Sequence, residues 1–126
     1  MAWVNRRPTS RGRRILVTFW SEEIDAILDV GDSLESSGVR NWALTPVQAI
    51  EAIVRLSDVG VAILGGDVYV LGLGHVEQCY DSWFCNKDNF ESEADFVVRS
   101  ALEAREYVEC YGVSNDGVFF ALVPRA

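Results

Sequence analysis

The stretch Thr45-Pro46-Val47-Gln48 constrains the fold more than any other, because it fixes where a helix begins. Threonine caps a helix with its side-chain oxygen, proline is favoured at the first helical position, and glutamine at the third completes a capping box. We predict a helix from here to Gly60, with Trp42 folded over its first turn. The apolar spacing predicts its core face as Val47, Ile50, Ile53, Val54 and Ser57.

After Gly60 the pattern changes to that of β-strands. Residues 61–64 and 67–71 predict two strand segments, with a bulge or bend at Gly65-Gly66 between them. Gly72 and Gly74 predict a tight connection to a second strand over residues 75–83. These residues therefore predict a β-hairpin. A phosphate-binding loop is disfavoured at the same glycines, because such a loop requires a following helix.

Two further helices are predicted on either side of these elements. Ser21 caps the first, which has an acidic first turn and is expected to run to about Glu35, with Gly38 ending it. The second begins at Ser92 and ends at Gly112. The predicted core positions of the first are Ile24, Ile27, Leu28 and Leu34; those of the second are Phe96, Val97, Ser100, Ala101, Ala104, Tyr107, Val108 and Tyr111.

The order of these elements predicts an α+β fold. Asn115-Asp116-Gly117 is a turn signal before a final strand over residues 118–123, which should pair with the hairpin. We therefore expect a small, mainly antiparallel sheet, made of the hairpin and the C-terminal strand, with about three helices packed on one face. One core and no internal linker are expected.

Charge divides the chain into two parts. The whole chain has 11 basic and 19 acidic residues and a net charge of −8, and five of the arginines lie in the first fourteen residues. The remainder carries six basic residues against all nineteen acidic ones, a net charge of −13. We predict that residues 1–14 are a basic extension and that residues 15–126 form a single domain.

The composition disfavours several functional classes. So acidic a domain repels nucleic acid and anionic membranes and favours a basic protein partner. The longest apolar runs are strand-sized, far below the ~18 residues of a membrane span. Three cysteines and one histidine match no zinc spacing, and the odd cysteine number favours reduced thiols in a cytoplasm. We expect no cofactor, no metal and no catalytic residue.

A carboxylate site is the main alternative. Asp67 and Asp81 lie near a strand bend and a strand end, where two carboxylates could bind a divalent cation or perform acid–base chemistry. Asp67 follows two glycines and could also be held by backbone amides, which would make it structural. With nineteen acids some must cluster by chance, and a solvated acidic face is the favoured interpretation over a cation site.

Five stretches carry a resemblance to a known family. They are Asn41-Trp42-Ala43-Leu44-Thr45, Gln48-Ala49-Ile50-Glu51, Ile63-Leu64-Gly65-Gly66-Asp67-Val68-Tyr69, Tyr80-Asp81-Ser82-Trp83-Phe84-Cys85-Asn86 and Glu91-Ser92-x-x-Asp95-Phe96-Val97-x-Arg99-Ser100. Over about residues 21–123 the chain resembles the Immunity protein 40 family of bacterial polymorphic-toxin systems. The resemblance implies a small, non-catalytic cytoplasmic protein that binds and neutralises a cognate toxin, without indicating which toxin.

The stretch at residues 79–96 is where we expect the toxin to bind. Strand alternation puts Trp83 and Phe84 on opposite faces, so that one ring closes the core and the other faces the partner. Both rings could instead be structural. The candidate toxin-binding residues are Asp67, Asp81, Trp83, Phe84, Asp88, Glu91 and Glu93.

The acidic charge also suggests the class of toxin. An acidic surface complements a basic cleft, as in a nuclease, and this expectation comes from charge and not from the family. We expect a monomer or a weak homodimer. A dimeric adaptor that pairs through an exposed sheet edge is a further possibility.

Overall fold

The computed structural model describes residues 18–72, 74, 76–112 and 117–125. The predicted basic extension, residues 1–14, lies outside the described residues, as do Asn115 and Asp116 of the predicted turn. The division into an extension and one domain therefore stays a prediction.

The elements follow one another as helices and strands of an α+β fold, as predicted. The helices are α1 Glu22–Leu28, α2 Pro46–Asp58 and α3 Glu93–Gly112, with a short 3-10 helix at Glu35–Ser37. The strands are β1 Asp32–Ser33, β2 Trp42–Ala43, β3 Ile63–Leu71, β4 Val76–Phe84 and β5 Val118–Pro124. Among the described helices, none has the length and apolar character of a membrane-spanning segment.

Two small antiparallel sheets form the β part of the fold. The larger has the order β4-β3-β5, so the hairpin strand β3 is central and pairs with the C-terminal strand as predicted. β1 and β2 form the second sheet. A single bridge between Leu44 and Phe120 joins the end of β2 to the outer edge of β5.

The main core lies between the larger sheet and the helices. Val68 and Phe120 point from the sheet into a cluster that includes Leu56 of α2 and Val108 of α3. A second, smaller cluster is formed by Leu34, Ala43, Tyr69 and Ala121 on the other face of the sheet. The helices thus pack on one face, and the segment containing β1 and β2 covers part of the other.

Helix α2 begins as predicted, and its buried face overlaps the predicted one only in part, with Ile53 buried and Ile50 half-buried as expected. Both hydrogen bonds of the capping box are present: Gln48 N–H donates to Thr45 Oγ1 at 3.1 Å and Thr45 N–H to Gln48 Oε1 at 3.0 Å. The prediction of Val47 and Val54 as core residues is wrong, since both are exposed. The buried positions are Ala49, Ala52, Ile53 and Leu56.

Helix α1 is shorter than predicted. It ends at Leu28, and the chain continues through β1 into the 3-10 helix. Gly31 passes so close to β2 that a Cβ there would meet the backbone of Ala43, so only glycine fits at this point of the chain. Leu34 is buried as expected, although in the smaller cluster beyond the sheet. Gly38, with φ of 83°, ends the 3-10 helix.

The hairpin is present, and one of its two irregularities lies beside Gly65, where a bulge or bend was predicted. β3 is one continuous strand through Gly65-Gly66, and its register with β5 shifts between Ile63 and Gly65. A second shift lies between Asp67 and Tyr69 against β4. There Tyr80 has φ of 70°, a left-handed conformation that costs energy for a residue with a side chain.

Helix α3 matches its prediction closely. Ser92 Oγ accepts the N–H of Asp95 at 3.0 Å, and the predicted stripe is buried or half-buried. Ser100 is fully buried, and its hydroxyl group is satisfied there. It accepts the N–H of Ile63 at 3.0 Å and donates to the carbonyl of Val97 at 3.1 Å. The helix is thereby hydrogen-bonded to the first residue of β3.

Candidate functional site

The two rings of the predicted binding stretch have different environments. Trp83 is half-buried and stacks on Tyr107 of α3, with ring centroids 4.4 Å apart. Its indole also lies against Gly66, where any Cβ would collide with it. Phe84 is 79% exposed. One ring therefore packs and the other is exposed, as strand alternation predicts.

Two exposed aromatic residues were missed as candidates. Phe90 is fully exposed, and Tyr80 is also largely exposed in the irregular part of β4. Exposed aromatic rings are frequent anchors in protein interfaces. In the sequence, Tyr80 and Phe90 belong to the same alternation of aromatic and acidic residues that made Trp83 and Phe84 candidates.

Glu91 is occupied inside the protein. Arg99 donates to it from Nε and Nη2, each at 2.8 Å, and the N–H of Asp88 donates to Glu91 Oε1 at 3.1 Å. Its side chain is only 11% exposed. The hydrogen bonds from Arg99, with that from Asp88, lower the pKa of Glu91 to about 2. Glu91 therefore holds the connecting loop in place.

Arg99 is the residue that organises this loop, and sequence reasoning gave it no role. Besides Glu91, it donates to the carbonyl of Asn86 and to Glu103, both at 2.7 Å, and to the sulfur of Cys85 at 3.3 Å. All five N–H groups of its guanidinium are used. The pKa of Arg99 is raised by the hydrogen bonds that it donates to Glu91 and Glu103.

The remaining loop acids differ in accessibility. Glu93 forms an ion pair with Arg125 at 3.0 Å. The side chain of Asp88 is 78% exposed and approaches Arg99 only to 3.9 Å. Asp88 is therefore the acid of this loop that is most accessible to a partner.

Asp67 and Asp81 do not share a pocket. Asp67 is in register with Ala121, which belongs to the cluster on the face away from the helices. Asp81 accepts a hydrogen bond from Tyr111 of α3 at 2.6 Å, on the helix side. The cation-binding alternative requires both carboxylates to converge, and this arrangement separates them. Groups of three or more metal-ligating side chains are absent from the described part of the chain.

The expectation that backbone amides hold Asp67 is also unsupported. No hydrogen bond to its carboxylate is present among the described residues, and burial raises its pKa. The pKa of the neighbouring Tyr69 is also raised, mainly by burial and to a smaller extent by the negative charge of Asp67.

A groove of about 760 Å³ runs between β4 and α3. Its wall is a series of stacked rings in which the centroid of Tyr107 lies 4.4 Å from that of Trp83 and 5.7 Å from that of Tyr111. The hydrogen bond to Asp81 raises the pKa of Tyr111. The groove is lined by Trp83, Phe84, Glu103, Glu106, Tyr107, Cys110 and Tyr111.

Sequence reasoning missed this groove, although α3 contained a signal for it. Glu103, Glu106, Tyr107 and Cys110 are spaced three, four and seven residues apart and so share one side of the helix. That side borders the buried stripe, and only the position of β4 turns it into the side of a groove.

The outer edge of β4 is open in the described structure, because β4 pairs only with β3 there. The N–H of Cys85 donates to the carbonyl of Leu64 at 2.9 Å and therefore points towards β3. In antiparallel pairing the alternate residues Ser82 and Phe84 then direct their N–H groups outward. Phe84 thus combines an exposed ring with an accessible backbone donor.

Comparison with known proteins decides the family. The profile of the Immunity protein 40 family matches residues 33–124, which is most of the chain. The chain belongs to the Immunity protein 40 family. The match runs from β1 to β5 and leaves α1 outside. Searches of curated proteins and of solved structures found no match.

Proposed function

We propose that this protein is a cytoplasmic immunity protein that binds and neutralises a cognate bacterial polymorphic toxin. The observation that carries the proposal is the match of the Immunity protein 40 profile to residues 33–124. The role is inhibition by binding, which requires neither a catalytic residue nor a cofactor.

The exposed rings of the loop after β4 supply the apolar part of the proposed binding surface. Phe84 and Phe90 expose most of their rings to solvent, and Asp88 lies between them in sequence. Interfaces obtain most of their affinity from a few aromatic anchors that become desolvated within a polar rim. Phe84 and Phe90 are the proposed anchors, and Asp88 belongs to the proposed rim.

The loop is held in shape before the toxin arrives. Arg99 joins Glu91 at one end of the loop to the carbonyl of Asn86 at the other. A loop that is already ordered loses less conformational freedom on binding, which favours affinity. Glu91 contributes through this support and not through direct contact with the toxin.

Charge indicates the kind of toxin surface that would fit. Residues 15–126 have a net charge of −13, so a toxin with a basic working cleft would be attracted over a distance. A nuclease is the toxin class that this charge favours. Complementary charge raises the association rate and specificity more than the final affinity, so the rate should fall as salt rises.

Co-expression with the toxin domain encoded by the adjacent reading frame tests the proposal. We expect this chain to restore growth and to form a one-to-one complex with that domain. Replacing Phe84 and Phe90 together by alanine should weaken binding by roughly a hundredfold, since anchor residues each contribute on the order of 1–2 kcal/mol or more. Val47→Ala, an exposed apolar residue on α2, is the control and should bind normally.

Two results would distinguish a failure of the proposed function from a failure of the proposed binding surface. Growth arrest despite abundant soluble expression of this chain would contradict the proposed function. Full protection by the Phe84→Ala/Phe90→Ala variant, with unchanged affinity, would leave the function standing and place the binding surface elsewhere.

A further inference from the structure

The groove between β4 and α3 combines an aromatic wall with acidic residues. Tyr107 lies in the middle of the stacked rings, and Glu103 and Glu106 line the same groove from α3. An anion would be repelled by these carboxylates, and a purely apolar group would leave them unpaired on desolvation. The lining therefore fits a group that is both long and apolar along its length and positively charged at its tip.

We propose that this groove receives an arginine side chain from the toxin. The inference rests on the proposed function and specifies which chemical group of the partner is recognised. Arginine lays its methylene stem along apolar surface while its charged head remains among polar groups. Its planar guanidinium also packs against aromatic rings and binds carboxylates through paired hydrogen bonds, which the compact ammonium group of lysine does less well.

Glu106 is the carboxylate best placed to meet the incoming guanidinium. Glu103 already accepts a hydrogen bond from Arg99 at 2.7 Å, and Asp81 accepts one from Tyr111 at 2.6 Å. Glu106 is exposed and forms no ion pair with any of the described residues. It would thus gain a partner on binding without losing one.

The charge variants of Glu106 have a matched control on another helix. Glu106→Lys and Glu51→Lys change the net charge of the protein by the same amount, and both residues are exposed, on α3 and α2 respectively. A contact in the groove should make Glu106→Lys at least roughly tenfold weaker in binding the toxin domain, whereas a change in long-range attraction alone should affect both variants alike.

Cys110 gives a second readout in the groove. It is exposed, whereas Cys79 is half-buried and Cys85 is buried. Alkylation by N-ethylmaleimide, measured by mass spectrometry of the peptide that contains Cys110, should become at least severalfold slower when the toxin domain is bound. Cys110→Trp, which fills the groove, should weaken binding while circular dichroism shows an unchanged fold.

The possible outcomes are distinguishable. If wild-type protein does not bind the toxin domain, the proposed function and this inference both fail. If it binds while Glu106→Lys and Glu51→Lys behave alike and Cys110 stays reactive, the function stands and the inference is overturned. A further variant has the arginines within residues 1–14 changed to glutamine in the full-length chain. If Cys110 is alkylated faster in this variant without toxin, the groove is occupied by the protein's own arginines, and the inference is overturned.

Discussion

Arg99 shows how one side chain can hold the proposed binding loop in shape. The guanidinium of Arg99 reaches both ends of the loop and also the sulfur of Cys85, with every N–H group used. The pKa of the Cys85 thiol is raised, mainly because the thiol is buried. The thiol therefore stays protonated at neutral pH. The loop is therefore supported by charged groups, together with the packing of Cys85 at its start in a cluster with Ala62, Phe96 and Val97.

Glu91→Gln tests this support through its pH dependence. Because the pKa of Glu91 falls from 4.5 to about 2 on folding, its contribution to stability is complete above pH 4.5 and is lost as pH falls towards 2. We expect the wild type to be more stable than Glu91→Gln at neutral pH, and the difference to narrow over that interval. Urea unfolding at several pH values measures it.

The control for this experiment is Glu93→Gln. Glu93 pairs with Arg125 where both side chains are about half exposed, so its removal should have a smaller effect on stability. A difference between wild type and Glu91→Gln that stays constant from pH 7 down to pH 2 would contradict the assigned role of Glu91.

Gly66 is required because the ring of Trp83 lies directly over it. A Cβ at Gly66 would meet that ring and also approach the carbonyl oxygen of Ala121 to 2.8 Å. We expect Gly66→Ala to destabilise the protein by about 1–3 kcal/mol, as overpacking does. In a Trp83→Ala background the same change should cost less, and urea unfolding of all four proteins measures the coupling. Equal costs in both backgrounds would show that the indole is not the obstacle.

At the scale of elements, α2 shows what periodicity does and does not determine. Its start was predictable because the capping box is a local interaction between Thr45 and Gln48, with Pro46 at the first helical position. Its buried face was not, since valines and alanines both recur at helical spacing and either set could face the sheet. Ala49 and Ala52 are buried, whereas Val47 is 74% exposed.

Leu56→Ala and Val47→Ala test the face of α2 that the structure assigns to the core. Leu56 is fully buried, so its truncation leaves a cavity and should cost about 2–5 kcal/mol. Val47→Ala should change stability by less than ~0.5 kcal/mol, as exposed substitutions usually do. Chemical unfolding gives both values, provided that the free energy of unfolding depends on denaturant concentration with the same slope in each variant. Similar losses of stability in the two variants would instead place the predicted face, with Val47, in the core.

The end of α1 was unpredictable for a physical reason. Up to Leu28 its residues follow one apolar face, and Leu34 continues the spacing. The chain leaves the helix to form β1, and the pairing of Asp32 with Ala43 in β2 depends on a segment that is distant in sequence. The same distance explains why Leu34 was expected in a helix and lies instead below the sheet.

At the scale of the whole molecule, the open edge of β4 raises the question of self-association. Open edges invite strand pairing between chains, and bulges and charges oppose it. β4 has both, because its ladder is irregular around Tyr80 and it carries Glu77 and Asp81. Two such edges side by side would bring like charges together.

We therefore expect one chain per particle at low ionic strength. Any pairing through β4 should be weak and should increase with salt, because salt screens the repulsion between acids. Size-exclusion chromatography with light scattering, over a range of protein and salt concentrations, measures this. A mass of two chains that is independent of both concentrations would favour the dimeric adaptor instead.

The sequence by itself determined the order and type of the main elements, the cap of α2, the buried stripe of α3 and the acidic character of the domain. Each of these depends on neighbours within a few residues or on composition. The tertiary structure alone decided the face of α2, the end of α1, the role of Glu91 and the groove beside Tyr107. These depend on which distant segments meet, as when Arg99 reaches Asn86 or β4 approaches α3, and no local pattern encodes such distances.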